Sequence, residues 1–446
     1  MIGKERALEI LKEVIAISDG DETDAMLTAK QSALTRFANS MIHQNVSQSS
    51  SDMTIRVVKG KRIGVASTDR LHDKDSLRNL VKTASTIADF QEENPHYQGM
   101  PDPAPTKDVD AFCEATAAYS PSQRADAVKT LIDICAKESI IASGSLKTEA
   151  GEIAIANSKG VAAYFPSTTA EVSTVVMKGG QSGYAAASSN HVADIHMKSI
   201  AEEAADVCRR NADQVEVEPG KHDVVLHPYA VADLIAMMCA LEFGALSMQE
   251  GRSFMSEKMG QKIFSDSLTV WDDGLNTSGM PLPFDFEGVP KQKIVLIEDG
   301  VAKNVVYDTA TARKEGKEST GHGLPAGNTW GPIPINMFMK HGSDTLDGLV
   351  SKVNKGLYVT RFHYINPYLD LKKALFTGMT RDGTFVIENG KMTKAAKNLR
   401  FTMSMIEAFN SLDGLTEETM FVGGWFGMRV PGAIIRGFNF SGKTQF

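Results

Sequence analysis

Phe385-Val386-Ile387-Glu388-Asn389-Gly390-Lys391-Met392 is the most explicit structural statement in this sequence. Asn-Gly accepts the positive φ angles that a two-residue hairpin turn demands, and the residues before it favour strands. The stretch therefore predicts two antiparallel strands joined at Asn389-Gly390. Upstream, short apolar runs recur between glycine turns: Ile294 to Ile297, then Glu298-Asp299-Gly300, then Val301 to Tyr307. The second half of the chain reads as antiparallel β with few helices. Its entrance differs. Val224-Val225-Leu226 is a short buried strand, and Pro228 starts an apolar helix through Leu246. Val217-Glu218-Pro219-Gly220-Lys221-His222-Asp223, just ahead, marks a domain boundary.

Before that boundary helices and strands alternate. Ala7, Ile10, Leu11, Val14 and Ile15 share one helical face. Met41 to Val46 and Met53 to Val58 read as strands, and Lys59-Gly60-Lys61-Arg62 turns the chain into Ile63-Gly64-Val65-Ala66. A helix is expected from about Asp73 to Asp89. Residues 91–108, with Pro101-Asp102-Pro103-Ala104-Pro105, read as a linker or long surface loop. Ser120-Pro121-Ser122-Gln123 combines a serine cap, proline at the first helical position and glutamine three residues after the cap, and starts a helix to about Lys137. Strands return from Ile141 to Gly180, and a helix from about His196 to Ala212. Helix followed by meander thus occurs twice, and Ala-Asn-Ser recurs at Ala38-Asn39-Ser40 and Ala156-Asn157-Ser158. This suggests duplicated helix-meander units. The expected fold is α+β: an α/β N-terminal domain over residues 1–215, with antiparallel strands and helices, and a β-rich antiparallel C-terminal domain over 222–446.

Composition bounds function. A chain of 446 residues calls for about two domains. With 42% hydrophobic and 23% charged residues it has the make-up of an ordinary soluble protein. A net charge of -8 without a long Lys/Arg run argues against nucleic acid as a partner. The 37 glycines beside 7% aromatics suit a fold of many hairpins. Cys113, Cys135, Cys208 and Cys239 form no C-x-x-C, so reduced, mostly buried thiols in the cytoplasm are expected. Met1 to Arg6 is charged without an apolar run behind it, unlike a secretory signal. The most apolar stretch, Leu234 to Leu241, is far short of the roughly 20 residues of a membrane span.

No catalytic pattern stands out. His191 and His196 are five apart, as are His222 and His227, a spacing that does not align two metal ligands on a helix or strand face. Gly321-His322-Gly323 sits in a glycine- and proline-dense loop, 316–334, long enough to suggest function. Gly179-Gly180-Gln181-Ser182-Gly183 reads as a hairpin turn, since no helix start follows to cradle a phosphate. Asp272-Asp273 and Glu417-Glu418 read as solvated carboxylates. There is neither a G-x-S-x-G elbow nor a P-loop lysine motif.

Several segments together resemble the TldD/PmbA family, long labelled "modulator of DNA gyrase". They are Leu34-Thr35-Arg36-Phe37-Ala38-Asn39-Ser40-Met41-Ile42-His43-Gln44-Asn45; Gly251-Arg252-Ser253-Phe254 through Gly260-Gln261-Lys262-Ile263-Phe264 to Thr269-Val270-Trp271-Asp272-Asp273-Gly274; Pro334-Ile335-Asn336; Gly356-Leu357-Tyr358-Val359; Phe385 to Lys391; Asn398-Leu399; and Ile435-Arg436-Gly437-Phe438-Asn439-Phe440-Ser441-Gly442. They are collinear and cover most of the chain.

The resemblance implies a metalloprotease system of two related subunits, TldD-like and PmbA/TldE-like, around a peptide-binding cleft. It implies action on unfolded or modified peptides, including maturation of a microcin and degradation of an antitoxin. It further implies, for the catalytic subunit, H-E-x-x-x-H on a helix before the central block and a cysteine ligand near the C-terminus. Here the corresponding stretches are Ala236-Met237-Met238-Cys239-Ala240-Leu241 and Phe421-Val422-Gly423-Gly424-Trp425-Phe426-Gly427, without histidine in the first or cysteine in the second. The sequence thus resembles the PmbA/TldE-type subunit. No catalytic or metal-binding residue is expected in this chain, and zinc is expected in a TldD-like partner. Gly251, Arg252, Ser253, the 316–334 loop with His322, and Asn336 are the candidates for peptide cleft or subunit contact. The expected partners are a TldD-like subunit or a second copy of the chain, and an extended peptide. The alternatives are a stand-alone peptidase using His222, His227 or His322, and a homodimeric peptide-binding or regulatory protein.

Overall fold

The structure is a computed structural model that describes residues 1–424 and 426–444. Trp425, in the second stretch singled out above, lies outside the described residues. The N-terminal part runs α1 (Lys4–Ala16), β1 (Glu22–Ala38), β2 (Met41–Lys59), β3 (Arg62–Thr68), α2 (Lys74–Phe90), α3 (Glu114–Ala117), α4 (Pro121–Ala136), β4 (Ile141–Asn157), β5 (Ala162–Lys178), β6 (Gln181–Ser189) and α5 (Met197–Arg210). Its strands form one antiparallel sheet in the order β3-β2-β1-β4-β5-β6.

That sheet contains the same sequence of elements twice, helix, three-strand meander, helix, meeting where β1 pairs with β4 from Asp24↔Asn157 to Phe37↔Gly144. The helices start where the chain supplies caps. Asp73 accepts from the N–H of Asp75 ahead of α2, and Ser120 and Gln123 form a reciprocal capping box ahead of α4. All four long helices cover one face. Ala25, Leu27 and Ala154 pack on α1 and α2; Leu146, Val172 and Ala185 pack on α4 and α5. The helix after each meander approaches at a glycine. A Cβ on Gly64 would lie 1.9 Å from the carbonyl oxygen of Ala84, and one on Gly183 would lie 2.1 Å from that of Ala204. Only glycine admits a helix backbone so close to the strand.

The C-terminal part comprises β7 (Gly220–Leu226), α6 (Pro228–Glu242), α7 (Ala245–Gln249), β8 (Val270–Asp272), β9 (Ile294–Glu298), β10 (Val301–Ala302), α8 (Thr309–Lys314), β11 (Asn336–Met339), α9 (Leu346–Ser351), β12 (Lys355–Asp370), β13 (Leu375–Glu388), β14 (Lys391–Ala395), β15 (Leu399–Ser404), α10 (Met405–Asn410), β16 (Leu412–Val422) and β17 (Gly427–Lys443). Its 11-stranded sheet is mostly antiparallel, with parallel pairings of β7 with β12 and of β11 with β17. The fold is α+β. At Asn389-Gly390 both φ angles are positive, 51° and 73°, and Glu388 pairs with Lys391 across the turn. The apolar helix from Pro228 ends at Glu242 rather than Leu246. The chain breaks at Gly244, where a Cβ would lie 2.2 Å from the carbonyl oxygen of Pro332.

The second face of the N-terminal sheet meets the C-terminal part. At one end Ile155, Ala163 and Phe165 pack against Phe284 and Ala111. Arg56, paired with Asp24, reaches to 3.7 Å from Glu287. The connection between α2 and α3 is a largely exposed segment, as the sequence suggests, pinned to this junction where Met100 and Pro101 are buried. Arg313 donates to the carbonyl groups of Gln98, Gly99 and Met100. No helix among the described residues is long and apolar enough to cross a membrane.

Candidate functional site

Helix α6 has two different faces. Val231, Leu234, Ile235, Met238 and Cys239 are buried in the core of the C-terminal part. Ala232, Asp233, Ala236, Met237, Ala240 and Leu241, spaced one and four residues apart along the other side, line an open cavity of about 420 Å³. Ile365, Pro367 and Tyr368 of β12 form a second wall. Val422, Gly423, Phe426 and Met428, around the β16–β17 connection, form a third. Trp330 stands at the rim, 49% exposed.

The two stretches in which the family resemblance implied metal ligands, 236–241 and 421–427, therefore converge on one cavity although they are far apart in sequence. The residues present do not fit a zinc ion. Zinc needs three or four imidazole, thiolate or carboxylate donors. The walls here offer methyl, methylene, thioether and aromatic groups, with Asp233 as the one carboxylate. Among the described residues no three His, Cys, Asp or Glu side chains come together to hold a metal. Nor does the apolar face of α6 pack shut as core: Ala236 and Met237 remain partly exposed to the cavity.

Asp233 is the polar feature of this cavity. It accepts a hydrogen bond from the backbone N–H of Phe362 at 3.0 Å. Burial raises its carboxyl to about 7, against that hydrogen bond and the attraction of Arg361. The Arg361 guanidinium itself is bound to the Asp382 carboxylate and lies 4.1 Å over the Tyr184 ring.

Val422 and Gly423 also line a second, polar cavity of about 240 Å³ against the open end of the N-terminal sheet. Its floor is a row across four strands: Leu34 opposite Lys147, Lys147 opposite Glu171, and Glu171 opposite Ser188. Tyr229, at the start of α6, reaches this sheet. Its hydroxyl accepts from the N–H of Ala186 at 3.0 Å and donates to the carbonyl of the same residue at 2.9 Å, occupying part of the β6 edge.

The residues singled out from sequence fall elsewhere, and none of the five lines the α6 cavity. His322 and Asn336 come together around Asp272. His322 Nε2 is 2.9 Å from one Asp272 oxygen, while the N–H groups of Ile335 and Asn336 donate to the other at 2.8 and 2.9 Å. The Asn336 amide donates to the carbonyls of Asp273 and Asn276 and accepts from the N–H of Met280. All three side chains are buried, and this cluster pins β8, β11 and the 316–334 loop together. Asp272 is thus no solvated carboxylate; burial pushes it up, but Lys291 and His322 outweigh that and hold it below its ordinary value. Glu417 and Glu418 are exposed, as expected.

Ser253 is buried as well. It donates to the carbonyl of Glu242 at 2.7 Å and accepts from the N–H of Met255, fastening the segment after α7 to the end of α6. Gly251 has a φ of 65° and precedes Arg252, which pairs with Glu250 in solvent. Of the predicted regions, the 316–334 loop does reach the cavity, through Trp330. The three histidines of the stand-alone alternative do not gather: His222 bonds to the carbonyl of Glu218, His227 caps α6, and His322 is held by Asp272. Asp233 and Tyr368 were missed. The signal for Asp233 was its place three residues before Ala236, one turn earlier on the same face.

Comparison with known proteins covers both parts of the chain. Family models match residues 23–88 (PmbA/TldA metallopeptidase domain 1), 103–211 (PmbA/TldA metallopeptidase central domain) and 219–442 (PmbA/TldA metallopeptidase C-terminal domain). An uncharacterised protein of Methanocaldococcus jannaschii is 27% identical over 299 residues, 66% of this chain and 68% of that protein. A protein named metalloprotease TldD homolog, from Buchnera aphidicola subsp. Acyrthosiphon pisum, is 30% identical over 191 residues, which is 41% of this chain and 39% of that protein's length. In fold, the chain is similar to the crystal structure of TldE from Thermococcus kodakarensis, with a TM-score of 0.89 at 19% identity, covering 97% of this chain and 100% of that one.

Proposed function

This chain belongs to the PmbA/TldA metallopeptidase family, and from that premise we propose that it is the non-metal-binding subunit of a two-part peptidase, one that shapes a peptide cleft beside a zinc-bearing, TldD-like partner. The observation that carries this reading is the cavity face of α6. Ala236, Met237 and Leu241 stand where the family resemblance implies a metal-binding helix, and Val422, Gly423 and Phe426 stand where it implies the cysteine. In this reading a zinc ion held by the partner's own ligands would supply the Lewis acidity for peptide hydrolysis, and this chain would supply none of those ligands. This chain contributes the apolar cavity and the polar groove beside it, and an extended peptide backbone would lie in the groove. The substrates are unfolded or modified peptides of the cytoplasm.

The test is co-expression with a TldD-like protein carrying H-E-x-x-x-H from the same genome, followed by a peptide-cleavage assay. Cleavage that needs both chains and a metal bound only by the partner is expected. Stoichiometric zinc on this chain alone, together with peptide cleavage by it alone, would overturn the proposal.

A further inference from the structure

We propose that the α6 cavity is a binding site for an organic cation on an apolar stem, the side chain of a lysine or arginine in an extended peptide. The inference rests on the peptide-cleft reading above and deepens it by naming the side chain that the cleft selects.

Four observations carry it. First, Asp233 carries the one carboxylate among the residues lining the cavity. Second, it makes no ion pair among the described residues. Its Oδ2 accepts from the N–H of Phe362, and no donor among the described residues bonds to Oδ1. Third, the nearby cation is committed elsewhere: Arg361 is held by Asp382 and stacked on Tyr184. Fourth, Met237, Ile365, Tyr368 and Trp330 line the same cavity as Asp233. Such a lining suits the methylene stem of a long basic side chain, and aromatic faces attract its charge. A carboxylate in apolar walls without a cation is costly, and an entering ammonium or guanidinium group would repay that cost. The polar groove that shares Val422 and Gly423 would receive the neighbouring peptide backbone.

A free α-amine carries the same charge without the apolar stem, so the experiment separates the two sources. The cavity is built wholly from this chain, and the intact chain alone serves. Calorimetric titration would use an acetylated, amidated alanine pentapeptide with central lysine, its norleucine isostere, and the norleucine peptide with a free N-terminus. The lysine peptide is expected to bind at least about tenfold more tightly than the acetylated norleucine peptide. Asp233→Asn should bring these two within about twofold. Met237→Lys, which places a cation in the cavity from inside, should weaken lysine-peptide binding and gives a second reading if the first variant fails to fold.

Equal or tighter binding of the acetylated norleucine peptide would overturn the proposal, as would a lysine preference that survives Asp233→Asn, or no binding at all. If the free-amine norleucine peptide matches the lysine peptide, the cation is the peptide terminus and the side-chain assignment falls. These readouts do not involve cleavage. Loss of cation preference with partner-dependent cleavage intact would sink this inference alone. The reverse pattern would sink the subunit reading.

Discussion

His322 Nε2 stands 2.9 Å from Asp272 Oδ1, with both side chains closed to solvent. Burial and the charge of Lys291 hold the imidazole below its ordinary value against the pull of Asp272, so it is neutral at pH 7. In that form it donates from Nε2 and accepts from the Thr320 hydroxyl at Nδ1, 2.9 Å away. Asp272 also anchors the N–H groups of Ile335 and Asn336, so the pair is a keystone for three segments. His322→Ala leaves a void and a carboxylate short of one donor. It should cost about 3 kcal/mol in urea unfolding. A loss below about 1 kcal/mol would show that water replaces the imidazole freely.

His227 gives the stability profile an acid limb. Its Nδ1 accepts the N–H of Tyr229 at the head of α6, and burial lowers it to about 4. The unfolded chain takes up this proton near pH 6.5, before the folded one does. Stability from this residue is therefore complete above about pH 6.5 and drains away toward pH 4, by about 3 kcal/mol in all. His227→Asn retains a capping oxygen without the titration. Its unfolding free energy should fall less steeply than the parent's between pH 6.5 and 4; parallel profiles would refute the assignment.

Glu242 acts in the opposite sense. It is fully buried, accepts from the N–H of Phe254 at 2.9 Å through Oε2, and leaves Oε1 without a partner. Burial raises its carboxyl to about 7, against the Phe254 bond and the charge of Arg252. A raised folded value means stability that is present below about pH 4 and lost as pH climbs through 7. Glu242→Gln should be near neutral at pH 5 and stabilise by up to about 3 kcal/mol at pH 8. Equal effects at the two pH values would contradict it.

Gly64 and Gly183 should tolerate no side chain. Each alanine substitution drives a methyl group into a helix carbonyl, and the backbone has to move. A loss of at least about 1–3 kcal/mol is expected for either one. Gly180→Ala, where a Cβ meets nothing within 4 Å, serves as the control in the same denaturation series.

Arg313 fastens the α2–α3 connection by donating to three consecutive carbonyls. Arg313→Ala should expose that segment to proteases while changing global unfolding little. The measurement is limited proteolysis with fragment masses; an unchanged cleavage rate between residues 91 and 113 would show that other contacts suffice.

Local chemistry made much of this fold readable. The Ser120-Pro121-Ser122-Gln123 cap, Asp73 and the Asn389-Gly390 turn each act within a few residues, and each is found where the sequence puts it. The parallel pairings of β7 and β11 were not legible, because nothing local distinguishes a buried strand's distant partner. The break at Gly244 depends on Pro332, nearly ninety residues on, and is equally silent in the local pattern. The candidate site was half legible. The family resemblance pointed to 236–241 and 421–427, but their meeting is a tertiary fact. Asp272 was misread because Asp-Asp-Gly has the chemistry of a turn, while its burial is imposed by Ile335, Asn336 and His322.

The seam between β1 and β4 has a consequence for synthesis. A ribosome delivers β1, β2 and β3 well before β4, so the nascent chain first completes a meander whose innermost strand lacks its second neighbour. For that interval a 17-residue edge, including Ala25, Leu27 and Ala29, offers unpaired N–H and carbonyl groups to any other extended chain. Farther along, Lys30 and Arg36 supply charges that discourage such pairing. The strand that becomes the middle of the finished sheet is thus, during birth, its most vulnerable margin. A chain ending at residue 113 would hold that state permanently, and its solubility against the full chain measures the hazard.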